Sequence, residues 1–212
     1  MARFCDAKVT TVRLVLASAS PARKKVLLDA GINPTIAVST VDEDALTREL
    51  GKLAPGDLAL ALARAKADDV APKFADDSNT VIVGCDSVFE LAEVAYGKPL
   101  TPEVAVERIT AMSGQTGLLH TGHWVIFGNR SAGAIASTKI HFGQLTPVEI
   151  EAYVATGEPL NVAGAFTLDG KGAPFVNGIE GDPSNVLGIS MPTLRRLLPD
   201  LGITWTDLWT SS

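Results

Sequence analysis

The sequence predicts an α/β fold with a mixed central sheet, and three observations support this prediction. Short β-branched runs such as TVIVG at residues 80–84 alternate along the chain with segments of helical length. Helix starts of the Ser-Pro or Thr-Pro type occur at Ser20, Thr101 and Thr146. Hydrophobic residues are 46% and charged residues 20% of the 212, which is enough to build a sizeable core. We expect one domain, residues 1–212, with two lobes around a cleft.

Seven runs of apolar or β-branched residues predict strands. They are residues 12–17, 34–39, 80–84, 117–127, 134–142, 163–168 and 174–179. Residues 80–84 are continuously β-branched or small, which is typical of a central strand. Thr138, Ile140 and Phe142 alternate with polar residues, as in a half-buried strand.

Capping patterns predict the helices between these strands. Ser20 is the predicted N-cap of a helix that extends to about Ala30 and ends at Gly31. Asp57 is the predicted cap of a long helix over residues 58–71. Further helices are predicted over residues 101–112, over 146–155 with a capping box, and over 191–198.

Charge and cysteine content narrow the class of protein. The net charge of −6 argues against a general nucleic-acid-binding surface, so an anion site would have to concentrate its cations locally. Cys5 and Cys85 imply no disulfide framework and favour the cytoplasm. No run approaches the roughly 18 apolar residues of a membrane span, and the first residues lack the apolar run of a signal peptide.

The segment LASASPARKK, residues 16–25, places cations where a helix dipole disfavours them. Arg23 and Lys24 fall in the first turns of the helix that Ser20 caps. The N–H groups of a helix start bind anions, and a phosphate chain would use them together with the Ser18 and Ser20 hydroxyls and the Arg23 guanidinium. The alternative is a capped helix with solvated cations.

Asp86 follows the apolar run TVIVG, which predicts a carboxylate at the end of a buried strand. An unpaired carboxylate is costly there, and ligands of open α/β sheets gather at strand ends. Asp86 is therefore a candidate to bind a metal, pair with a cation or transfer a proton, with a turn or cap residue as the alternative. Lys98, between Gly97 and Pro99, would reach a phosphate or Asp86 unless it is a surface turn residue.

Residues 41–44, VDED, place three acids in a predicted loop, and such oxygen ligands suit Mg²⁺ or Mn²⁺ unless the loop is simply solvated. Lys66 is a lone cation in an Ala-rich helix, where an exposed helical lysine is the alternative. His120 and His123 do not predict zinc, because positions i and i+3 of a strand point to opposite faces and no second ligand pair lies nearby.

Residues 178–188, GIEGDPSNVLG, predict a tight loop that includes Asn185 and would contact a base or ribose through its backbone. Together with the helix start, the strand-end acid and the lysines, this loop describes a cleft suited to phosphoanhydride chemistry. A protein-interaction module needs none of these groups.

The chain resembles the Maf family, which comprises septum-formation-inhibitor-like nucleoside triphosphate pyrophosphatases. The resemblance rests on eight segments in order, from about residue 13 to 198: LASASPARK, VDED, ARAKA, VIVGCDSV, GKP, MSGQTG…HTG, YVATGEPLNVAGAF and IEGDPSNVLG. It implies a two-lobed fold similar to inosine triphosphate pyrophosphatases, a nucleotide in the cleft and commonly a homodimer. It also implies hydrolysis of a nucleoside triphosphate to the monophosphate and pyrophosphate with a divalent cation, as house-cleaning of modified nucleotides with a link to cell-division arrest.

The resemblance also implies roles for individual residues. The strand-end acid of the family falls on Asp86 as general base, and its acidic loop residue on Glu43, so that these two carboxylates would hold the metal. Its two lysines fall on Lys66 and Lys98. Its Ser-x-Ser-Pro-x-Arg loop falls on Ser18, Ser20, Pro21 and Arg23.

Three positions depart from the family branches of known substrate. The branch resembling dTTP/UTP pyrophosphatases has Arg, Thr and Gln where this chain has Ala22, Ser87 and Asp169. The branch acting on 7-methyl-GTP has Trp, Gln and an acid there, so only Asp169 matches, and an acid favours the N–H donors of a guanine edge. We therefore expect a broader nucleotide preference, with 7-methyl-GTP or a nucleotide-binding regulator without turnover as alternatives.

Overall fold

The computed structural model describes residues 12–210, whose centre is a seven-stranded mixed sheet flanked by helices, as the sequence predicted. The strands are β1 (Arg13–Leu16), β2 (Thr35–Ile36), β3 (Thr80–Leu91), β4 (Val94–Tyr96), β5 (Thr116–Phe127), β6 (Arg130–Phe142) and β7 (Val176–Glu180). The helices are α1 (Pro21–Asp29), α2 (Glu43–Leu50), α3 (Pro55–Val70), α4 (Pro102–Met112), α5 (Pro147–Ala155), α6 (Pro183–Val186) and α7 (Met191–Leu197).

The sheet order is β2-β1-β3-β5-β6-β7, with β4 paired to the far end of β3. β1 is parallel to both β2 and β3, whereas β3, β5, β6 and β7 form antiparallel ladders. The parallel pairs are connected through helices, because a parallel crossover needs a long connection. The site described below lies where the parallel part meets the antiparallel part.

Helix α3 lies directly on the sheet because glycines of β3 and β5 leave room for it. A Cβ atom at Gly84 would lie 2.1 Å from the Ala63 carbonyl oxygen, and one at Gly122 would lie 2.3 Å from the Ala59 carbonyl oxygen. No side chain fits at these distances, so the close approach fixes α3 against β3.

Two hydrophobic clusters share the long strand β3. Val83 belongs to a cluster between the sheet, α1 and α7, which includes Leu27 and Leu194. Phe89, further along the same strand, belongs to an aromatic cluster with Phe142 and Phe166, whose ring centroids lie 5.0–5.8 Å apart. The chain segments that carry the site residues are therefore attached to packed cores at both ends of β3.

The segment 178–188, predicted as one tight loop, contains the end of β7 and all of α6. Besides this segment and the strand that carries Asp86, four sequence predictions need correction. The predicted strand at 34–39 is only Thr35–Ile36. The predicted strand at 163–168 is absent; Ala163–Ala165 form a 3₁₀ turn with Gly164 at φ 74°. Asp57 does not cap α3, which begins at Pro55 because proline suits the first helical position.

The fourth correction concerns the acidic VDED segment, which is a helix start rather than a loop. Asp42 caps α2 by accepting a hydrogen bond from the Ala45 N–H at 2.9 Å, and Glu43 is the first helical residue. Cys5 lies outside the described residues. Within residues 12–210, no helix has both the length and the apolar character that crossing a bilayer requires.

Candidate active site

The site forms where β1 leaves the sheet. β1 pairs with β3 only as far as Val83, whose carbonyl oxygen accepts a hydrogen bond from Ala17 N–H at 2.9 Å, while β3 continues to Leu91. Asp86 and Ser87 lie on this continuation and project to opposite faces. The sequence predicted that the strand β3 ends at Asp86. Instead β3 continues and the neighbouring strand β1 ends, so Asp86 still lies beside an open part of the sheet.

Lys66 brings two carboxylates together on the α3 face of the sheet. Its Nζ lies 2.5 Å from Asp86 Oδ1 and 2.7 Å from Glu43 Oε1. The Lys66 and Asp86 side chains are about one-tenth exposed, and that of Glu43 is 41% exposed. The sequence left Lys66 as either a site residue or an exposed lysine, and burial against Asp86 excludes the exposed alternative.

The charges of this cluster keep Glu43 ionised. Burial alone raises the pKa of Glu43, but the hydrogen bond and charge of Lys66, with smaller effects of Lys98 and Arg23, bring it below its ordinary value. Lys98 itself is exposed. Its charge nevertheless acts on Glu43, so this exposed lysine is part of the electrostatic surroundings of the cluster.

Arg23 turns back into the protein from the first turn of α1. Its Nε donates to the Gly188 carbonyl oxygen at 2.7 Å, its Nη1 to Ser18 Oγ at 2.9 Å and its Nη2 to Ser87 Oγ at 3.1 Å. Ser20 caps the helix, with Oγ accepting from Arg23 N–H at 3.4 Å. The guanidinium is thus buried and oriented by neutral acceptors, so its positive charge is not cancelled by an acid in these bonds.

The other two cations of this segment are exposed. Lys24 lies on the surface of α1, and Lys25 pairs with Asp29 one turn later, at 2.5 Å. Asp169 is exposed in the loop after Phe166. Its charge acts on α1, where it contributes, after Asp29, to the raised pKa of Lys25.

Asn185 is buried rather than exposed to the cleft. Its amide donates to the Leu119 carbonyl oxygen at 3.0 Å and to Thr138 Oγ1 at 3.2 Å. Its backbone carbonyl accepts from Thr121 Oγ1 at 3.4 Å, and Thr121 Oγ1 lies 2.9 Å from Ser87 Oγ. Asn185 is therefore connected to Arg23 through Thr121 and Ser87, and its binding of substrate stays a prediction.

Sequence reasoning missed the roles of Thr121 and His123. His123 Nδ1 donates to the Thr121 carbonyl oxygen at 3.0 Å, and Nε2 accepts from Ser190 N–H at 2.8 Å. Burial, with help from the Arg23 charge, lowers the pKa of His123 to about 4, so the imidazole is neutral. The HTGH motif did not predict zinc, and the contact with Ser190 is 67 residues away, so no local signal indicates these roles.

His120 does not pair with His123. It lies 2.7 Å from Ser137 Oγ and 3.0 Å from Glu90 Oε2. Residues 12–210 contain no group of three or more His, Cys, Asp or Glu side chains arranged to hold a metal ion.

Glu43 and Asp86 nevertheless fit Mg²⁺ or Mn²⁺ as part of a shared site. Mg²⁺ is commonly held by one or two carboxylates and completed by substrate phosphates, so a dedicated protein cage is not needed. Both carboxylates contact the single Lys66 Nζ, so their oxygens already converge on one cation. A divalent ion would thus be held jointly by these residues and by a phosphate ligand.

The fold and site define a mixed-sheet α/β protein in which a cationic helix start lies beside two carboxylates that share one buried lysine. The chain belongs to the Maf family: the family described as "Maf-like protein" matches residues 13–201. The resemblance seen in the sequence is thereby confirmed.

Similar curated proteins are named "Nucleoside triphosphate pyrophosphatase". One from Streptomyces avermitilis is 53% identical over 200 residues, which cover 93% of this chain and 95% of that protein. One from Streptomyces coelicolor is 53% identical over 199 residues, with 93% and 94% covered. One from Salinispora tropica is 49% identical over 202 residues, with 93% and 88% covered.

Proposed function

We propose that this protein hydrolyses nucleoside triphosphates to the monophosphate and pyrophosphate. The observation that carries the proposal is the Glu43–Lys66–Asp86 cluster beside the Arg23 helix start. A buried acid, a buried ammonium and an oriented guanidinium are the groups that hydrolysis of a polyanion needs. The names of the similar proteins support the same activity.

Asp86 is the proposed base. Water attacks the α-phosphorus, its proton passes to an Asp86 carboxylate oxygen, and the bond from the α-phosphorus to the α,β-bridging oxygen breaks. Pyrophosphate then leaves with the bonding electron pair. A divalent cation held by Glu43 and Asp86 would polarise the α-phosphate and lower the pKa of the attacking water.

The cations stabilise the charge that develops on the phosphates. Lys66 is held against Asp86 and reaches the same phosphate from α3, while Lys98 approaches from the open side. Arg23 presents a fixed guanidinium, and Ser18 and Ser20 add hydroxyls at the α1 start. Lys24, exposed on α1, extends the positive charge outward.

Substrate choice depends on residues around this centre. We propose a broad preference that includes modified or non-canonical nucleotides, because Ala22 offers no stacking side chain and Ser87 is bonded to Arg23. Asp169 would contact the base. We further propose a cytoplasmic homodimer of one two-lobed domain per chain, which acts in nucleotide house-cleaning.

A panel of canonical and modified nucleoside triphosphates, 7-methyl-GTP included, tests the proposal. Each is incubated with Mg²⁺ or Mn²⁺, and the products are separated by chromatography. We expect monophosphate and pyrophosphate. Diphosphate and phosphate would instead indicate removal of the γ-phosphate, and binding without turnover of any substrate would indicate a nucleotide-binding regulator.

A further inference from the structure

Glu158 holds together the loop of residues 167–172, which we call the Asp169 loop. Oε1 of Glu158 accepts hydrogen bonds from the Thr167 hydroxyl and from Gly172 N–H at 3.0 Å, and Oε2 accepts from Lys171 N–H at 3.0 Å. Both ends of the loop therefore bond to one carboxylate. A fourth bond comes from the Tyr153 hydroxyl of α5 at 3.2 Å, which ties the carboxylate to the helix.

The Asp169 loop is shaped around this carboxylate. A Cβ atom at Gly170 would lie 2.6 Å from Glu158 Oε1, and one at Gly172 would lie 2.6 Å from the Tyr153 hydroxyl oxygen. Side chains at these two positions would displace the bonds just described. The glycines thus allow the backbone to wrap closely enough for its N–H groups to reach Glu158.

Neutral donors keep Glu158 ionised. Burial raises the pKa of Glu158, but the hydrogen bonds from Thr167, from the Lys171 and Gly172 N–H groups and from Tyr153 bring it below its ordinary value. A charged acceptor binds N–H and O–H donors more strongly than a neutral one does. The loop therefore depends on a carboxylate charge that no lysine or arginine side chain neutralises in these bonds.

The charge of Asp169 acts on α1, the helix whose start holds the proposed phosphate site. Asp169 is exposed, yet its charge contributes to the raised pKa of Lys25, two residues beyond Arg23 on α1. The hydrogen bonds of Lys66 and Asp86 run instead to one another and to Glu43. A change confined to the loop should consequently leave the phosphate chemistry intact.

We propose that Glu158 is a positioning residue that sets base discrimination by holding Asp169 in place. This inference rests on the proposed function, since it concerns the base of a nucleoside triphosphate. Without the charge of Glu158 the loop would sample several positions, and Asp169 would no longer favour one base edge over another.

The test compares E158Q with E151Q, a matched change of an exposed glutamate on α5. Gln keeps the shape but turns one acceptor into an NH₂ group that faces donors. We expect the ratio of kcat/KM between the best and worst bases to shrink about tenfold in E158Q, with kcat on the best substrate within about threefold of wild type. An equal loss on every base would overturn the proposal.

A double-mutant cycle shows whether Glu158 acts through Asp169. In a D169A background, E158Q should change base discrimination by less than about twofold, because the group that it positions is already gone. Full additivity of the two changes contradicts the proposal.

Limited trypsin digestion measures how well ordered the Asp169 loop is, and it does not depend on catalytic turnover. Cleavage after Lys171, followed by mass spectrometry, should be about tenfold faster in E158Q than in wild type or E151Q, since proteolysis follows local opening. Unchanged cleavage would contradict the positioning role.

T167V removes one neutral donor to Glu158, and it gives the same comparison if E158Q does not fold. Absence of pyrophosphate release from wild type would refute the proposed function, whereas the digestion still decides whether Glu158 orders the loop.

Discussion

The negative charges of two carboxylate centres in this protein are stabilised in opposite ways. Glu43 and Asp86 share the Lys66 ammonium, whereas Glu158 accepts only from uncharged backbone N–H and side-chain O–H groups in its described bonds. A lysine side chain is flexible, so another cation can displace it from a carboxylate. Backbone N–H groups, by contrast, are fixed by the chain. The first arrangement suits a site that binds and releases charged groups, and the second suits one that holds a loop.

Moving α3 away from β3 would separate Lys66 from Asp86 and so disrupt the first centre. Ala at Gly84 puts a Cβ atom 2.1 Å from the Ala63 carbonyl oxygen, so the helix must move and Lys66 with it. We expect G84A to lower the free energy of unfolding by about 3 kcal/mol or more, the upper end of what overpacking of a core costs, because the contacted atom is backbone and cannot turn away. Urea denaturation measures this effect.

G178A is the matched control, because no atom lies within 4 Å of a Cβ at Gly178. It should change stability by less than about 1 kcal/mol. If G84A were as stable as G178A, then contact at Gly84 would not fix the position of Lys66.

Removing the charge of Asp86 should abolish most turnover without dismantling the centre. In D86N the amide oxygen still accepts a hydrogen bond from Lys66, but the group no longer takes a proton from water. We expect pyrophosphate release to fall about 10²–10⁴-fold, the usual contribution of a general base. D68N, which changes an exposed aspartate of α3, is the control; turnover of D86N close to that of D68N would rule out Asp86 as the base.

Much of the first centre was predictable from the sequence, whereas the second was not. Asp86 and Arg23 stand next to local signals, a strand and a helix cap, which indicate both position and chemistry. Glu158 stands in an ordinary turn, and its partners Lys171 and Gly172 are 13 and 14 residues away. Nothing local indicates that a loop closes around it. The strand predicted at 163–168 is wrong because the apolar pattern does not reveal the backbone conformation of Gly164. This residue is in the left-handed region and turns the chain.

His123 extends the comparison to a buried group that is kept neutral, because burial outweighs the Thr121 and Ala134 carbonyl oxygens and the Asp182 charge that favour its protonated form. Its folded-state pKa of about 4 lies below the ordinary 6.5, so the unfolded chain takes up the proton first as the pH falls. Its contribution to stability is complete above pH 6.5 and is lost as the pH falls toward 4.

H123Q keeps a donor and an acceptor but does not titrate. Over that pH window, wild type should lose about 3 kcal/mol more unfolding free energy than H123Q does, as a shift of this size implies. Urea titrations of both proteins at each pH measure the difference. Parallel pH profiles would show that His123 is not the group that titrates.

The comparison of the two centres turns on whether Lys66 occupies a place that a divalent cation can take. K66M removes the ammonium and leaves the negative charges of Glu43 and Asp86 uncompensated, which favours a bound cation. We expect K66M to bind Mn²⁺ about tenfold more tightly than wild type in the absence of nucleotide, a coupling of about 1.4 kcal/mol. Electron paramagnetic resonance of free Mn²⁺ gives the affinity.

K139M is the control. Lys139 also contacts a carboxylate, that of Glu180 at 3.1 Å, but this pair is exposed, and exposed pairs contribute little. Weaker or unchanged Mn²⁺ binding by K66M would mean that the ammonium and the metal do not compete, and that Glu43 and Asp86 are held by Lys66 much as the Asp169 loop is held by Glu158.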